Sequence, residues 1–427
     1  VKLSAVYQEK RALRFPAMMN NEDYLVGIDI GSEKISVLMV DVTSPRLPVL
    51  GFAAVPTRGM RQGAVTSLGD LGAAIERAVL EVEEASGKAI EKVHLSLNGE
   101  HFRPVVRQGE VEIRNRQDEV FESDRQAVLS RALPVPLSEG EVLHCIVQEF
   151  LLDDQRGIDN PVGMYGRNLK ANIYLITAAV NNLKNIRRCL ADFKLEAASV
   201  GYAPLLAAGA VLTPEELAEG VAYLDFGKTT TTLLIFKSTL REVGVVHRGG
   251  DRLNFALRYC LNTTPAEAER LKRNYGSCLA DGLDVQEEIM VSNAQGEVRQ
   301  TTSRGFIAEV INAELKDMFS PLQSFFIKNR PVIPAGLVLG GGGAQLPGLV
   351  DFMEKDLKLP ARVGMPDGFD GWEKVIKSPA YNSLLGVVKT NLPGTQGREE
   401  GGGRRSGVTR VLTRHFRKIT DILKDNF

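Results

Sequence analysis

One short design occurs twice in this chain and limits what it can fold into: a strand, an aspartate, one apolar residue, a glycine, a polar turn and a second strand. The first copy is YLVGIDIGSEKISVLMVD, Tyr24 to Asp41. Leu25 to Ile30 alternates as a strand, Gly31 breaks it, and Ile35 to Val40 resumes as a β-branched run, the pattern of a hairpin with a short polar tip. The tip holds Asp29, Gly31, Ser32, Glu33 and Lys34. A backbone turning at glycine beside a hydroxyl and a lysine offers N–H groups, an O–H and a positive charge to a phosphate, while Asp29 can hold a hydrated cation. About one domain later the strand Val221 to Phe226 leads into GKTTTT and the strand Leu233 to Lys237, so Asp29-Ile30-Gly31-Ser32 is echoed by Asp225-Phe226-Gly227-Lys228. Two halves built this way can grip a phosphate chain from both sides, with a metal between the aspartates. A further strand, Leu337 to Leu339, opens into Gly340-Gly341-Gly342-Gly343-Ala344 ahead of a helix over Leu346 to Leu357. Glycines at such a junction let backbone approach a planar ligand closely.

The remainder is organised around these hairpins. A strand (Pro48 to Val55), a helix (Leu68 to Ser86, stopped by Gly87) and a strand (Lys92 to Leu97) complete a first unit. From Gly99 to Lys170 the texture turns polar and is broken by Pro104, Pro134, Pro136 and Pro161, with a helix at Ser123 to Ala132 and strands near Glu110 to Arg114 and Val142 to Leu151. This reads as a module inserted into the first domain, with Ala171 to Ala178 as the return strand. Amphipathic helices follow at Asn181 to Phe193 and Pro204 to Leu217. The expected organisation is α/β: a disordered arm (1–23), a first lobe (24–98 and 171–205) interrupted by an α+β subdomain (99–170), a second lobe (206–392), a linker (393–407) and a terminal helix (408–427).

Composition narrows the function classes. With 427 residues, 44% hydrophobic, 25% charged and a net charge of −1, the chain can build two or three cores but has no global attraction for nucleic acid, so an electrostatic partner must be met by a local patch. Cys145, Cys189, Cys260 and Cys278 form no CxxC pair and the five histidines no HExxH, which predicts a reducing cytosol and no structural metal. No apolar run approaches the roughly 20 residues of a spanning helix.

Two Asp-x-Gly hairpins and a strand-glycine-helix junction in this order resemble the actin, sugar kinase and DnaK-type chaperone (ASKHA) superfamily. Four longer stretches narrow the resemblance to FtsA, the membrane-tethered actin-like family of bacterial cell division: DIGSEKI; the inserted PVPLSEGEVLHCIVQEFLLDDQRGIDNPVGMYGRNLKANIYLITA; AERLKRNYGSCL with the helix FIAEVINAELKDMF after it; and GLVLGGGGAQLPGLVDF. The insertion is the most specific, because actins and sugar kinases carry other modules there. The resemblance implies an actin-like two-lobed fold with ATP and Mg²⁺ in the cleft. Asp29, Gly31, Ser32 and Lys34 would form the first phosphate loop and Asp225, Gly227, Lys228, Thr229 and Thr230 the second, followed by Gly250. Glu269 and Lys272 would flank the ribose and adenine, and Gly341, Gly342 and Gly343 the adenosine pocket. As partners it implies the C-terminal peptide of the tubulin-like FtsZ filament, further copies of the chain, and other divisome proteins through the insertion, at the cytoplasmic face of the plasma membrane at the division site. The peptide is expected between Asn262 and Arg330, among Arg270, Lys272, Arg273, Lys316 and Lys328.

Two departures from the family pattern bear on activity. The second loop is typically D-I-G-G-G-T-x-D, but here Lys228 and Thr229 replace two glycines and Thr232 the second aspartate; after Gly249-Gly250-Asp251 the usual T-N-D acid is missing. Weak or absent ATP hydrolysis follows as the expectation, with no catalytic residue assigned. A sugar or acetate kinase would need a substrate-side general base, which has no candidate; a PilM-like pilus scaffold shares the fold but lacks a C-terminal anchor.

Such an anchor is legible here. PGTQGREEGGGRRSG is a linker by composition, with a root-mean-square reach of roughly 20 Å. In the following VTRVLTRHFRKITDILKDNF, Val408, Val411, Leu412, Phe416, Ile419, Ile422, Leu423 and Phe427 fall in one arc of about 160° at helical spacing. Arg410, Arg414, Arg417, Lys418 and Lys424 outnumber Asp421 and Asp425 on the opposite side. A basic amphipathic helix on a flexible tether reads as an interfacial anchor for anionic lipids.

Overall fold

The structure, a computed structural model, describes residues 23–133, 140–293 and 298–393. The expected N-terminal arm up to residue 22, nearly all of the linker and the amphipathic helix 408–427 lie outside the described residues.

The first sheet starts as an antiparallel meander, β1 (Tyr24–Ile30), β2 (Lys34–Asp41) and β3 (Val49–Pro56). A small ribbon, β4 (Met60–Arg61) with β5 (Ala64–Val65), leads to the helix Leu68–Ser86. That helix begins where the Ser67 hydroxyl accepts the Asp70 N–H and ends where Gly87 takes a left-handed φ of 68°. Its buried residues Leu71, Ile75, Ala78, Val79 and Val82 recur at helical spacing and cover the sheet. β6 (Lys92–Leu97) runs parallel to β1.

The insertion has its own sheet: β7 (Phe102–Glu112), β8 (Glu141–Leu152), β9 (Gln155–Ile158) and β10 (Asn168–Ala178), in the order β7-β10-β8-β9, with its own apolar core beneath the helix Glu122–Ala132. β10 pairs with β7 and β8 along its length. The return strand therefore belongs to the insertion, which runs to Ala178, and the expected boundary at 170/171 falls inside a strand. The chain rejoins the first sheet through β11 (Glu196–Tyr202), giving β11-β6-β1-β2-β3.

The second lobe repeats this wiring. β12 (Val221–Phe226), β13 (Thr231–Lys237) and β14 (Thr239–Val246) form a meander. A hairpin, β15 (Glu288–Ser292) with β16 (Val298–Ser303), stands apart, and β17 (Leu337–Gly340) and β18 (Ala361–Val363) extend the sheet in parallel to β14-β13-β12-β17-β18. In each lobe the first strand of the meander is central, and its aspartate sits one residue from its carboxyl end, the end at which open α/β sheets bind ligands. Asp29 pairs in register with Ser36 and Ser96; Asp225 pairs with Thr232 and Gly340.

Two more boundaries differ from the sequence reading. The single helix expected over Pro204 to Leu217 is two, Ala203–Val211 and Pro214–Glu219. Thr213 and Glu216 form a capping box there, and Pro214 has no N–H with which to continue the first helix. The last described helix, Asn382–Thr390, does not belong to the second lobe: Leu384, Leu385 and Val388 pack on Leu25, Leu38 and Val40 of the first sheet. A Cβ at Gly27 would come within 2.9 Å of Val387, so glycine lets this helix settle on β1. The insertion also reaches the second lobe, where the Gln148 side-chain amide donates to the carbonyls of Leu240 (3.1 Å) and Arg241 (2.9 Å).

Candidate functional site

Both hairpin tips close with the same turn. The Gly31 N–H donates to the Lys34 carbonyl at 3.1 Å, and the Gly227 N–H to the Thr230 carbonyl at 3.0 Å. The tips face each other: Ser32 Oγ and Thr229 Oγ1 are 3.0 Å apart, and Asn98 Nδ2 donates to Thr230 Oγ1 at 3.2 Å. An ion pair between Arg273 and Glu33 spans the lobes nearby. The second tip is buttressed from behind by the helix Gly250–Cys260, whose Gly250 and Asp251 N–H groups donate to the carbonyls of Gly227 (3.0 Å) and Lys228 (2.9 Å). A side chain at Gly249 would collide with that carbonyl of Gly227. Lys272 Nζ reaches the Gly250 carbonyl at 3.4 Å and Glu269 at 2.7 Å.

Charge in the cleft is out of balance. Burial raises the Asp29 carboxyl above the ordinary carboxylate range, against the neighbouring hydroxyls of Ser96 and Ser383 and the charge of Lys34. Burial, and then the facing charge of Asp29, push Asp225 up to about 7. Among the described residues neither carboxylate has an ion-pair partner. A divalent cation fits such a pair, since its charge relieves the repulsion that burial intensifies. Lys34 is drawn down to about 8 by burial, against Asp29 and Glu33, and its ammonium lies 3.4 Å from the Tyr381 ring centroid. For Glu269, burial acts upward but is outweighed by hydrogen bonds from Lys272, Arg273 and Asn254, which bring it to about 2.

The structure thus gathers Asp29, Gly31, Ser32, Lys34, Asp225, Gly227, Lys228, Thr229, Thr230, Gly250, Glu269 and Lys272 around one cleft. The glycine run Gly340–Gly343 is crowded where side chains would stand. Gly341 has φ 78° and a Cβ there would lie 2.6 Å from the Phe226 carbonyl and 2.8 Å from Asp225 Oδ1; one at Gly340 would strike the Tyr223 hydroxyl, and one at Gly343 the Phe226 ring. These three are glycine because the turn Gly342–Gln345 folds back over β12. Gly342 has more room, its added Cβ meeting nothing nearer than Ala380 at 4.0 Å. Thr232 is fully buried beside Tyr202, 3.4 Å between hydroxyl oxygens, as a strand residue of β13. Of the cations expected to meet a partner peptide, Arg270 is held by Glu267 at 2.7 Å, Lys272 and Arg273 by Glu269, and Lys328 by Glu242 at 2.8 Å. Lys316 is exposed and without an ion pair among the described residues. Sequence reasoning missed Asn98, Tyr381 and the Glu33–Arg273 pair, which no local pattern signals.

Two identically wired sheets that close on a pair of aspartate hairpins define an actin-like protein. Solved structures agree on the fold: the PilM–PilN type IV pilus biogenesis complex matches with a TM-score of 0.59 at 17% identity, over 85% of this chain and 97% of that one. MreB5 of Spiroplasma citri bound to ADP matches with a TM-score of 0.51 at 11% identity, over 86% and 95%. Sequence comparison is more specific. The family model for cell division protein FtsA matches residues 222–386, and that for the SHS2 domain inserted in FtsA matches residues 99–177. The cell division protein FtsA of Pseudomonas aeruginosa is 30% identical over 380 residues, 88% of this chain and 91% of the relative; that of Neisseria meningitidis is 28% identical over 93% of this chain and the whole of the relative. The chain belongs to the FtsA family of cell division proteins.

Proposed function

We propose that this chain tethers FtsZ filaments, through their C-terminal peptide, to the cytoplasmic face of the plasma membrane at the division site and polymerises there with its own copies. The inserted subdomain would meet other divisome proteins. The cleft would take ATP with Mg²⁺ as a ligand turned over slowly or not at all. Asp29 and Asp225 would hold the cation, Ser32, Lys34, Lys228 and Thr229 would face the phosphates, and Thr232, standing where the family has an acid, cannot orient a water as a carboxylate does.

The observation that carries the tethering reading is the amphipathic arc of 408–427 on a chain of this family. Each basic residue near an anionic leaflet contributes on the order of 1 kcal/mol, and each inserted apolar side chain at most roughly 1.5–3 kcal/mol. Ordering the segment opposes this by on the order of 1 kcal/mol per residue. One copy therefore binds reversibly, and an array of linked copies binds firmly through avidity. The test is co-sedimentation of the full chain and FtsZ with anionic vesicles. Wild type should carry FtsZ down, and an FtsZ lacking its C-terminal peptide should stay in solution. Deleting 408–427 or introducing Phe416→Glu should release both proteins even at low salt, whereas Arg414→Ala should only weaken binding and make it more salt-sensitive. Sedimentation that persists after the deletion refutes the reading.

A further inference from the structure

The ammonium of Lys34 lies over an aromatic face, in a cleft where carboxylates are close by. Asp29 and Glu33 act on it electrostatically, yet among the described residues it makes no ion pair. Its near neighbour is the Tyr381 ring, 3.4 Å from Nζ to centroid. The ring is itself held. Tyr381 closes the turn Pro379–Tyr381 ahead of the helix Asn382–Thr390. It meets Phe52 of β3 edge-on, 5.2 Å between centroids at 84°, and Phe52 meets Trp372 at 5.8 Å.

The choice of partner has a chemical consequence. A carboxylate would neutralise the lysine and would have to be displaced before an anion could approach. An aromatic face attracts the cation through its quadrupole but takes up none of its three N–H donors in a conventional hydrogen bond, so the donors stay available to an incoming oxyanion. A long, flexible side chain is thereby ordered in advance without loss of its charge, which lowers the cost of ordering it on binding.

We propose that Tyr381 is the positioning residue of the first phosphate loop: its ring, braced by Phe52, holds the Lys34 ammonium where a phosphate oxygen of a nucleotide reaches it. This rests on the nucleotide reading of the cleft. Trp372, 46% exposed and the only tryptophan of the chain, reports on the stack from its outer end.

The experiment is isothermal titration of the full chain with Mg²⁺ and ATP, with tripolyphosphate, and with adenosine, alongside Trp372 fluorescence. Tyr381→Leu should weaken ATP and tripolyphosphate about tenfold while leaving adenosine unchanged, the mark of an effect confined to the phosphate end. Tyr381→Phe, which keeps the aromatic face, should bind within about twofold of wild type. Lys34→Met should weaken the same two ligands, and adding Tyr381→Leu to it should cost little more, because the ring acts through the lysine. Tripolyphosphate should change Trp372 emission in wild type and leave Lys34→Met silent. Equal ATP affinity in Tyr381→Leu and wild type overturns this proposal alone. So does an additive loss in the double variant or an equal loss for adenosine, either of which makes the ring merely structural. A wild type that binds neither ATP nor tripolyphosphate overturns the nucleotide reading, and this proposal with it.

Discussion

Replacing Asp225 by asparagine should make the ligand-free protein more stable, and the gain should depend on pH in a way that only a buried, repelled carboxylate explains. Asp225 lies on the central strand of the second lobe, faces Asp29 across the cleft, and titrates at about 7 in place of 3.8. Between those values the folded protein keeps a proton that the unfolded chain has released, so stability falls as pH rises through this window. The penalty is absent below about 3.8 and complete above about 7. At 1.36 kcal/mol per pH unit of displacement, the full penalty is on the order of 4 kcal/mol, or about 2 kcal/mol where water entering the cleft screens half of it. Asp225→Asn keeps the shape and removes the titration. Its advantage over wild type should therefore grow from pH 5 to pH 7 and level off by pH 8 at on the order of 2–4 kcal/mol. For a lobe-sized unit this is an increase in Tm of about 5 °C or more. Differential scanning fluorimetry of both proteins across this pH range is the assay. With Mg²⁺ and ATP the order should reverse, wild type gaining Tm because the cation relieves the repulsion while Asp225→Asn, with one carboxylate fewer to hold it, gains little. A gain equal at pH 5 and pH 8, or an Asp225→Asn protein less stable than wild type at pH 8, would refute the account of the cleft as an unbalanced pair of acids.

Acid should act in the opposite sense through three histidines that burial keeps neutral: His94 and His101 titrate at about 4 and His144 at about 3, all from 6.5. Below pH 6.5 the unfolded chain takes up protons that the folded one refuses, a fall in stability of up to about 4 kcal/mol per pH unit between pH 6 and 4.5, which relief of the Asp225 penalty cuts to about 3 kcal/mol; urea midpoints at several pH values measure the slope, and a flat profile contradicts it. The glycine run offers a paired test: Gly343→Ala drives a methyl into the Phe226 ring and should cost about 1–3 kcal/mol in urea unfolding, whereas Gly342→Ala should leave stability within about 0.5 kcal/mol and weaken ATP in isothermal titration.

How much of this was legible in the sequence follows from the distance over which each cause acts. The hairpin β1–β2, the strand β12 and the helix Leu68–Ser86 could be read because their determinants are local: alternation along a strand, helical periodicity, a glycine stop. β11 could not, since EAASVGY is too poor in large apolar residues to alternate visibly, although its parallel pairing with β6 makes it a strand. For the glycines after β17 the sequence shows only that a side chain is excluded; the atoms that exclude it, the Phe226 ring and Tyr223 hydroxyl, lie on a strand far away in the chain. The same holds for Glu33 and Arg273, and for Lys34 and Tyr381, which meet only when the chain's last described helix returns to the first sheet.

The duplicated wiring also recasts Thr232, which looked from the sequence like a plain loss. In the first lobe Asp29 stands opposite Ser36, fully buried on β2; in the second, Asp225 stands opposite Thr232, fully buried on β13. A threonine there therefore makes the second hairpin match the first, a buried hydroxyl beside each aspartate, where the family pattern has an acid on one side only. The symmetric arrangement can bind a cation and a phosphate chain from both lobes. It lacks the asymmetry that attack by water requires, a base on one side of the terminal phosphate, because a hydroxyl at strand position 232 neither takes a proton at neutral pH nor points charge at a water. Binding without rapid turnover is the chemistry that such a cleft favours, in keeping with the proposed role of a scaffold that stays assembled.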